Sequence, residues 1–230
     1  VHLAVTPEQL CLGVLGSEQF DRAPESLGKS EERSTLPIED KESLRWLTGY
    51  RLACQLAADC PDTQVVSVAD READIYDIFV EAQRHTGPKA DFIVRSRVDR
   101  CLTTRDPASG PAVYCKVRHE VRSSPLLAQR VIELSQTPKR AARQATLEIR
   151  ALTVTVKPPH ERSYLPAVTV QVVLAEEVGG PGDGTDVSWL LITSLPITTF
   201  ADVLRILDYY VARWTIEVFF RILKTGCRVE

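Results

Sequence analysis

Tyr210, Arg213, Glu217 and Lys224 lie in the run YVARWTIEVFFRILKTG at offsets 0, 3, 7 and 14. At a helical rotation of about 100° per residue, the four fall within an arc of roughly 60°. A phenol, two cations and a carboxylate therefore share one helix face. Those types suit a phosphate backbone held beside a divalent metal ion, with Glu217 for the ion and Arg213 and Lys224 for the phosphates. The other faces carry Val211, Trp214, Ile216, Val218, Phe219, Ile222 and Leu223. That apolar surround predicts a buried helix whose polar stripe points at something polar. A solvated stripe on an amphipathic helix is the plainer alternative.

A second carboxylate sits in a suggestive place. The run QVVSVA, residues 64–69, reads as a short buried strand, and READIYDIFVEAQR, residues 71–84, as a helix. Asp70 lies between them. Open α/β sheets place their ligands at such strand C-terminal ends.

With both motifs in view, the spacing Tyr-x2-Arg-x3-Glu-x6-Lys resembles the YREK signature of bacterial insertion-sequence transposases. The run DREADIYD, starting at Asp70, resembles the block around that family's second catalytic aspartate. The likeness is to the hairpin-forming, cut-and-paste transposases of the transposon-five type, and it extends in patches from VHLAV to KTG. The resemblance implies an α/β fold: a ribonuclease H-like core with a mainly β insertion subdomain before the last helix. It implies three catalytic carboxylates in the order Asp, Asp, Glu, of which Asp70 matches the second and Glu217 the third. Both are thus expected as catalytic residues and metal ligands for Mg2+, with Mn2+ as substitute and two ions in the complete site. The first carboxylate belongs on a strand just before VHLAV. Asp21, the earliest aspartate, lies in polar loop sequence and is not assigned that role. The chain alone is therefore expected to be catalytically incomplete.

The resemblance also implies DNA contacts from Tyr210, Arg213 and Lys224. Trp189 matches a tryptophan that supports a flipped base during hairpin formation, and Arg95 and Arg97 match basic residues near the active site. Core packing is the alternative for Tyr210 and Trp189. Arg71 and Glu72 read equally as support for Asp70 or as helix-terminal charges, and Asp74 and Asp77 read as solvated helix positions. The implied partners are double-stranded DNA (transposon end repeats and target DNA) and a second copy in a full-length homodimer. A non-catalytic DNA-binding or inhibitory remnant remains a competing reading, and a structure-specific nuclease is a weaker third.

Gross composition is compatible with this. The 230 residues suffice for one sizeable core. No apolar run is long enough to span a membrane, no secretory leader is evident, and the six dispersed cysteines form no Cys-x-x-Cys pair. Zinc is not expected, and a cytoplasmic setting is the default. The chain contains no methionine and opens in VHLAV, which reads as a piece of a longer protein. Net charge is −3, but it is segregated. Residues 1–83 hold 7 Lys/Arg against 16 Asp/Glu, residues 84–150 hold 14 against 6, and residues 151–230 hold 7 against 9. A basic module inside an acidic chain suits a polyanionic partner, although a solvated basic loop has the same composition.

The elements that must position these residues follow from periodicity. Two strands are expected around Pro7, a polar loop over 21–37, a helix over 38–58, the strand before Asp70 with its helix, and a strand DFIVRS over 91–96. Short alternating runs over 97–188 (VYCKVRH, RVIELSQ, ATLEIRALTVTV, AVTVQVVLAEE) read as the insertion. SWLLIT returns to the main sheet. Thr199 before Asp202 predicts a capping box for one continuous helix to Thr225. The domain expectation is core over 1–96, basic β insertion over 97–188, and core again over 189–230.

Overall fold

The computed structural model describes residues 1–18, 39, 41–106, 108, 113–134, 136 and 141–227. Asp21, Ile38 and the expected loop over 21–37 lie outside them. Among the described residues the strands are β1 (His2–Val5), β2 (Cys11–Gly16), β3 (Val66–Ala69), β4 (Asp91–Arg95), β5 (Cys101–Arg105), β6 (Tyr114–Lys116), β7 (Ala128–Leu134), β8 (Arg143–Val156), β9 (Val168–Glu177) and β10 (Ser188–Thr193). The helices are α1 (Leu44–Asp59), α2 (Tyr76–Arg84), α3 (Val117–Ser123), α4 (Phe200–Ala212) and α5 (Thr215–Thr225).

β1 and β2 form an antiparallel hairpin of their own, with Gln9 in the left-handed region at φ 66° in the turn. The other eight strands form one mixed sheet in the order β3-β4-β10-β9-β8-β5-β6, with β7 also paired to β8. β3 and β4 run parallel and are joined through α2, and β10 is antiparallel to β4. The chain is thus α/β. The segment read as an insertion does not stand apart from this sheet: β8 and β9 pair over ten residues, and β9 pairs along all of β10.

Alternation decides which face each strand residue takes. In β4, Phe92 and Val94 join a core with Leu47, Tyr50 and Phe79 of α1 and α2, whereas Ile93 joins a second core with Val203, Ile206 and Tyr210 of α4. β10 divides in the same way, with Leu190 and Ile192 on the first face and Leu191 on the second. Helices therefore cover both faces of the sheet, which explains why these strands read as continuous apolar runs.

The region after Lys116 holds a helix within the segment expected to be mainly β. VYCKVRH continues as the short helix α3, whose Val117 and Val121 are fully buried one helical turn apart. The last helix departs from the sequence reading. It is two segments, because backbone bonds tighten around Arg213 and Trp214: Arg213 N–H donates to Tyr210 O at 3.3 Å and Trp214 N–H to Val211 O at 3.0 Å. Such i to i−3 bonds mark a local 3₁₀ turn. Nor is the second segment buried as its apolar residues suggest: no residue of α5 is buried, and Val218, Phe220 and Ile222 are exposed. Its apolar stripe meets no other element among the described residues that would take it out of solvent.

The start of α4 follows the sequence reading. Thr199 Oγ1 accepts from Asp202 N–H, and Asp202 Oδ2 accepts from Thr199 N–H at 2.8 Å. Backbone N–H groups of Thr198 and Thr199 hold the Asp202 carboxyl well below the ordinary carboxylate range. Thr199→Ala removes one half of this box and should lower stability by about 1 kcal/mol, read as a shift in urea midpoint, with Thr199→Ser close to wild type.

Candidate functional site

Sheet parity assembles the site. Val66 and Val68 of β3 pack on the α4 side, so Asp70, two residues on, continues that face. Ile93 of β4 packs there too, so Arg95 follows it, and Trp189 of β10 packs against the same core. β3 and β4 run parallel and β10 runs against them, so these three residues stand at one end of the sheet. The C-terminal end of α4 delivers Tyr210 and Arg213 to that end.

Asp70 accepts from Arg71 N–H at 2.8 Å through Oδ1, capping the 3₁₀ turn Arg71–Ala73. The Tyr210 hydroxyl donates to the same oxygen at 3.4 Å, and Arg95 Nη1 lies 3.9 Å from it. Arg213 Nη2 lies 3.4 Å from Asp70 Oδ2, and its Nη1 lies 3.8 Å from Glu217 Oε1. One guanidinium thus touches both carboxylates. Its rigid fork keeps them within about 10 Å of one another. The tightened turn at Arg213 and Trp214 precedes Glu217 by one helical turn, which is how the stripe of the sequence remains a local cluster despite the break.

Tyr210 is 1 % exposed. Burial pushes its phenol pKa up, with Arg95 pulling the other way and Asp70 adding to the rise. The protonated hydroxyl therefore supports Asp70 and is not presented at the surface. Trp189 packs edge-on against it, ring centroids 5.5 Å apart. Arg95 Nη2 donates to Ser188 O at 3.1 Å. Arg213 stacks over Tyr210 and Trp214 at 5.7 and 5.2 Å. Arg95 and Arg213 each keep a buried Nε with no hydrogen-bond partner among the described residues. Neither guanidinium has all its donors satisfied, and the unpartnered Nε atoms are sealed from solvent.

The sequence-derived residues thus fall into two groups. Asp70, Arg95, Trp189, Tyr210, Arg213 and Glu217 come together. Lys224 is exposed near the end of α5, and among the described residues no hydrogen bond or ion pair joins its side chain to the cluster. Arg97 is exposed and joins the site through its backbone alone, its N–H donating to Asp74 at 2.7 Å.

Asp74 and Asp77 are corrected by the structure: neither is a solvated helix position. The Asp74 side chain is 0 % exposed and paired with Arg100, which is 6 % exposed. It also accepts from Ser96 Oγ and from the N–H groups of Arg97 and Val98. Asp77 pairs with Arg162 at 2.5 Å. Asp74 therefore ties the turn after Asp70 to the exit of β4 that carries Arg95. Its partners are distant in sequence, so no local pattern announces it.

Two partly exposed carboxylates, 40 % and 59 % accessible, converge on one bridging cation, the Arg213 guanidinium. Hard oxygen donors of this kind fit Mg2+ or Mn2+. Among the described residues no group of three or more His, Cys, Asp or Glu could hold a metal ion. Among them, too, no helix is long and apolar enough to cross a membrane. The chain matches no protein-family model.

Proposed function

We propose that the chain is part of the catalytic core of a cut-and-paste DNA transposase, built on a ribonuclease H-like fold. The observation that carries this reading is the meeting of Asp70 and Glu217, far apart in sequence, on the Arg213 guanidinium. The order of the YREK and DREADIYD motifs supports it. In this reading Asp70 and Glu217 hold Mg2+, or Mn2+ in its place, which when bound would supply Lewis-acid stabilisation of a phosphodiester under attack. Tyr210 fixes the orientation of Asp70. Arg95 and Arg213 neutralise phosphate charge, and Trp189 stands beside the site as the aromatic platform for an extruded base. The whole protein would cleave one strand with water, use the freed 3′-OH to form a hairpin, and later join the end to target DNA as a homodimer in the cytoplasm.

A second reading keeps the DNA contacts without the chemistry: a non-catalytic or inhibitory remnant. It is favoured by the two-carboxylate donor set, since among the described residues no third ligand completes it. Both readings require duplex binding. The test is titration of the chain with a short DNA duplex at low salt. Saturable binding that weakens steeply with added salt is expected. Absence of binding to any duplex would contradict both. Mg2+-dependent cleavage of transposon-end DNA by this chain would overturn the remnant reading and the expected incompleteness alike.

A further inference from the structure

The cationic surface does not stop at Arg95. Its Nη2 donates to the carbonyl of Ser188, and the Ser188 hydroxyl is shared by a second charged group. Arg118 Nη1 donates to Ser188 Oγ at 2.9 Å and to Glu176 Oε1 at 2.6 Å. Arg122, one turn further along α3, grips the same carboxylate through Nε and Nη2, both at 2.7 Å. The α3 residues Val117 and Val121 are fully buried, so the helix is anchored by one side and offers both arginines from another.

Charge and exposure make this more than a structural ion pair. Two guanidiniums grip one carboxylate, with Asp99 as a further anion acting on Arg122. Their side chains are 28 % and 55 % exposed, whereas Glu176 is 23 % exposed. Asp99 and Glu120 are the other acids at α3: Asp99 is engaged by the backbone N–H of Arg118 at 2.9 Å, and Glu120 lies on α3 itself, two residues from either arginine. Burial alone would raise the Glu176 pKa, but hydrogen bonds from Arg122 and Ser188 and the charges of Arg122 and Arg118 hold it below its ordinary value. Glu176 thus remains an anion that fixes two flexible side chains in place. Fixed guanidiniums lose less entropy on meeting a phosphate than free ones.

We infer that Arg118 and Arg122, fixed by Glu176, form a separate phosphodiester-binding site that continues the Arg95 side of the candidate centre along the DNA backbone. The inference rests on the proposed DNA-binding reading and names a contact surface beyond its signature residues. Arg118 and Arg122 belong to the basic segment 84–150, whose Arg100, Arg130 and Arg143 are instead paired with Asp74, Asp208 and Glu177.

The experiment measures fluorescence anisotropy of a labelled duplex across a salt series, with wild type, Arg118→Gln/Arg122→Gln, Arg118→Lys/Arg122→Lys, Glu176→Gln and Arg213→Gln. The paired Gln variant should lose about two from the slope of log affinity against log salt, and about tenfold or more in affinity, while the paired Lys variant keeps the slope. Glu176→Gln keeps an amide oxygen to accept from the two arginines while removing the competing negative charge, and should bind a few-fold more tightly. A wild-type slope in the paired Gln variant, with Arg213→Gln still impaired, would overturn this inference and leave the proposed function intact. No binding by wild type would overturn both. Should the paired Gln variant fail to fold, Glu176→Gln and the Lys pair decide: weaker binding by Glu176→Gln, or loss of slope in the Lys pair, would show the cluster to be merely structural.

Discussion

Asp74→Ala is expected to destabilise the fold by about 3–5 kcal/mol, more than any other single change considered. Its carboxylate is wholly removed from solvent and pairs with Arg100, which is itself buried over the rings of Tyr76 and Phe79. Deleting the anion strands a buried guanidinium and frees the N–H groups of Arg97 and Val98. Asp74→Asn should cost less, because an amide oxygen still accepts from the backbone. Combining Asp74→Asn with Arg100→Met should recover part of the loss, since a buried pair is costlier to halve than to replace. Urea unfolding of the four proteins checks this. An Asp74→Ala midpoint equal to wild type would show that Asp74 is solvated after all.

Arg213→Gln is expected to act in opposite directions on two ligands. The guanidinium is 11 % exposed and lies between Asp70 and Glu217. For a phosphate it is a charged donor, and losing such bonds costs about 1.5–3 kcal/mol, or roughly 10- to 150-fold in duplex affinity. For a divalent cation the same group is a competitor that already stands within ion-pair distance of both carboxylates. Its removal leaves two anions facing each other and should tighten Mn2+ binding a few-fold. Arg213→Lys should keep the salt dependence and lose part of the affinity, because a point charge cannot reproduce the fork. Parallel duplex and Mn2+ titrations measure both signs. A variant that loses both ligands together would point to simple misfolding, which the urea midpoint reveals.

Much of the sheet was legible in sequence for a physical reason. SWLLIT and DFIVRS are buried on both faces, so their apolar character is continuous and bounded by turn residues, whereas the run before Asp70 is an edge strand, half-buried throughout. β10 falls on residues 188–193 as read, and the Thr199 box is local chemistry with a fixed offset. α3 was missed because Tyr114–Lys116 and Val117 look like alternation, although Val117 and Val121 already carried the i, i+4 spacing of a short helix. The inserted β subdomain was read from a change to short alternating runs, a pattern that does not reveal that residues 171–176 of β9 pair with the whole of β10. Exposure of α5 could not be read either. Its apolar stripe has the form of a core helix, and burial depends on neighbours that the helix itself does not encode. In the site, Arg213 and Glu217 were singled out by helical spacing and Asp70 by its place at the end of a strand-like run. Asp74, Ser188 and Glu176 were not, because their partners are supplied only by the tertiary fold.

The most direct measurement is Mn2+ binding followed by electron paramagnetic resonance in wild type, Asp70→Asn and Glu217→Gln. If the two carboxylates share a cation, each single variant should weaken binding by tenfold or more, and the double variant should be little worse than either single. Unaltered Mn2+ affinity in both single variants would contradict the shared site.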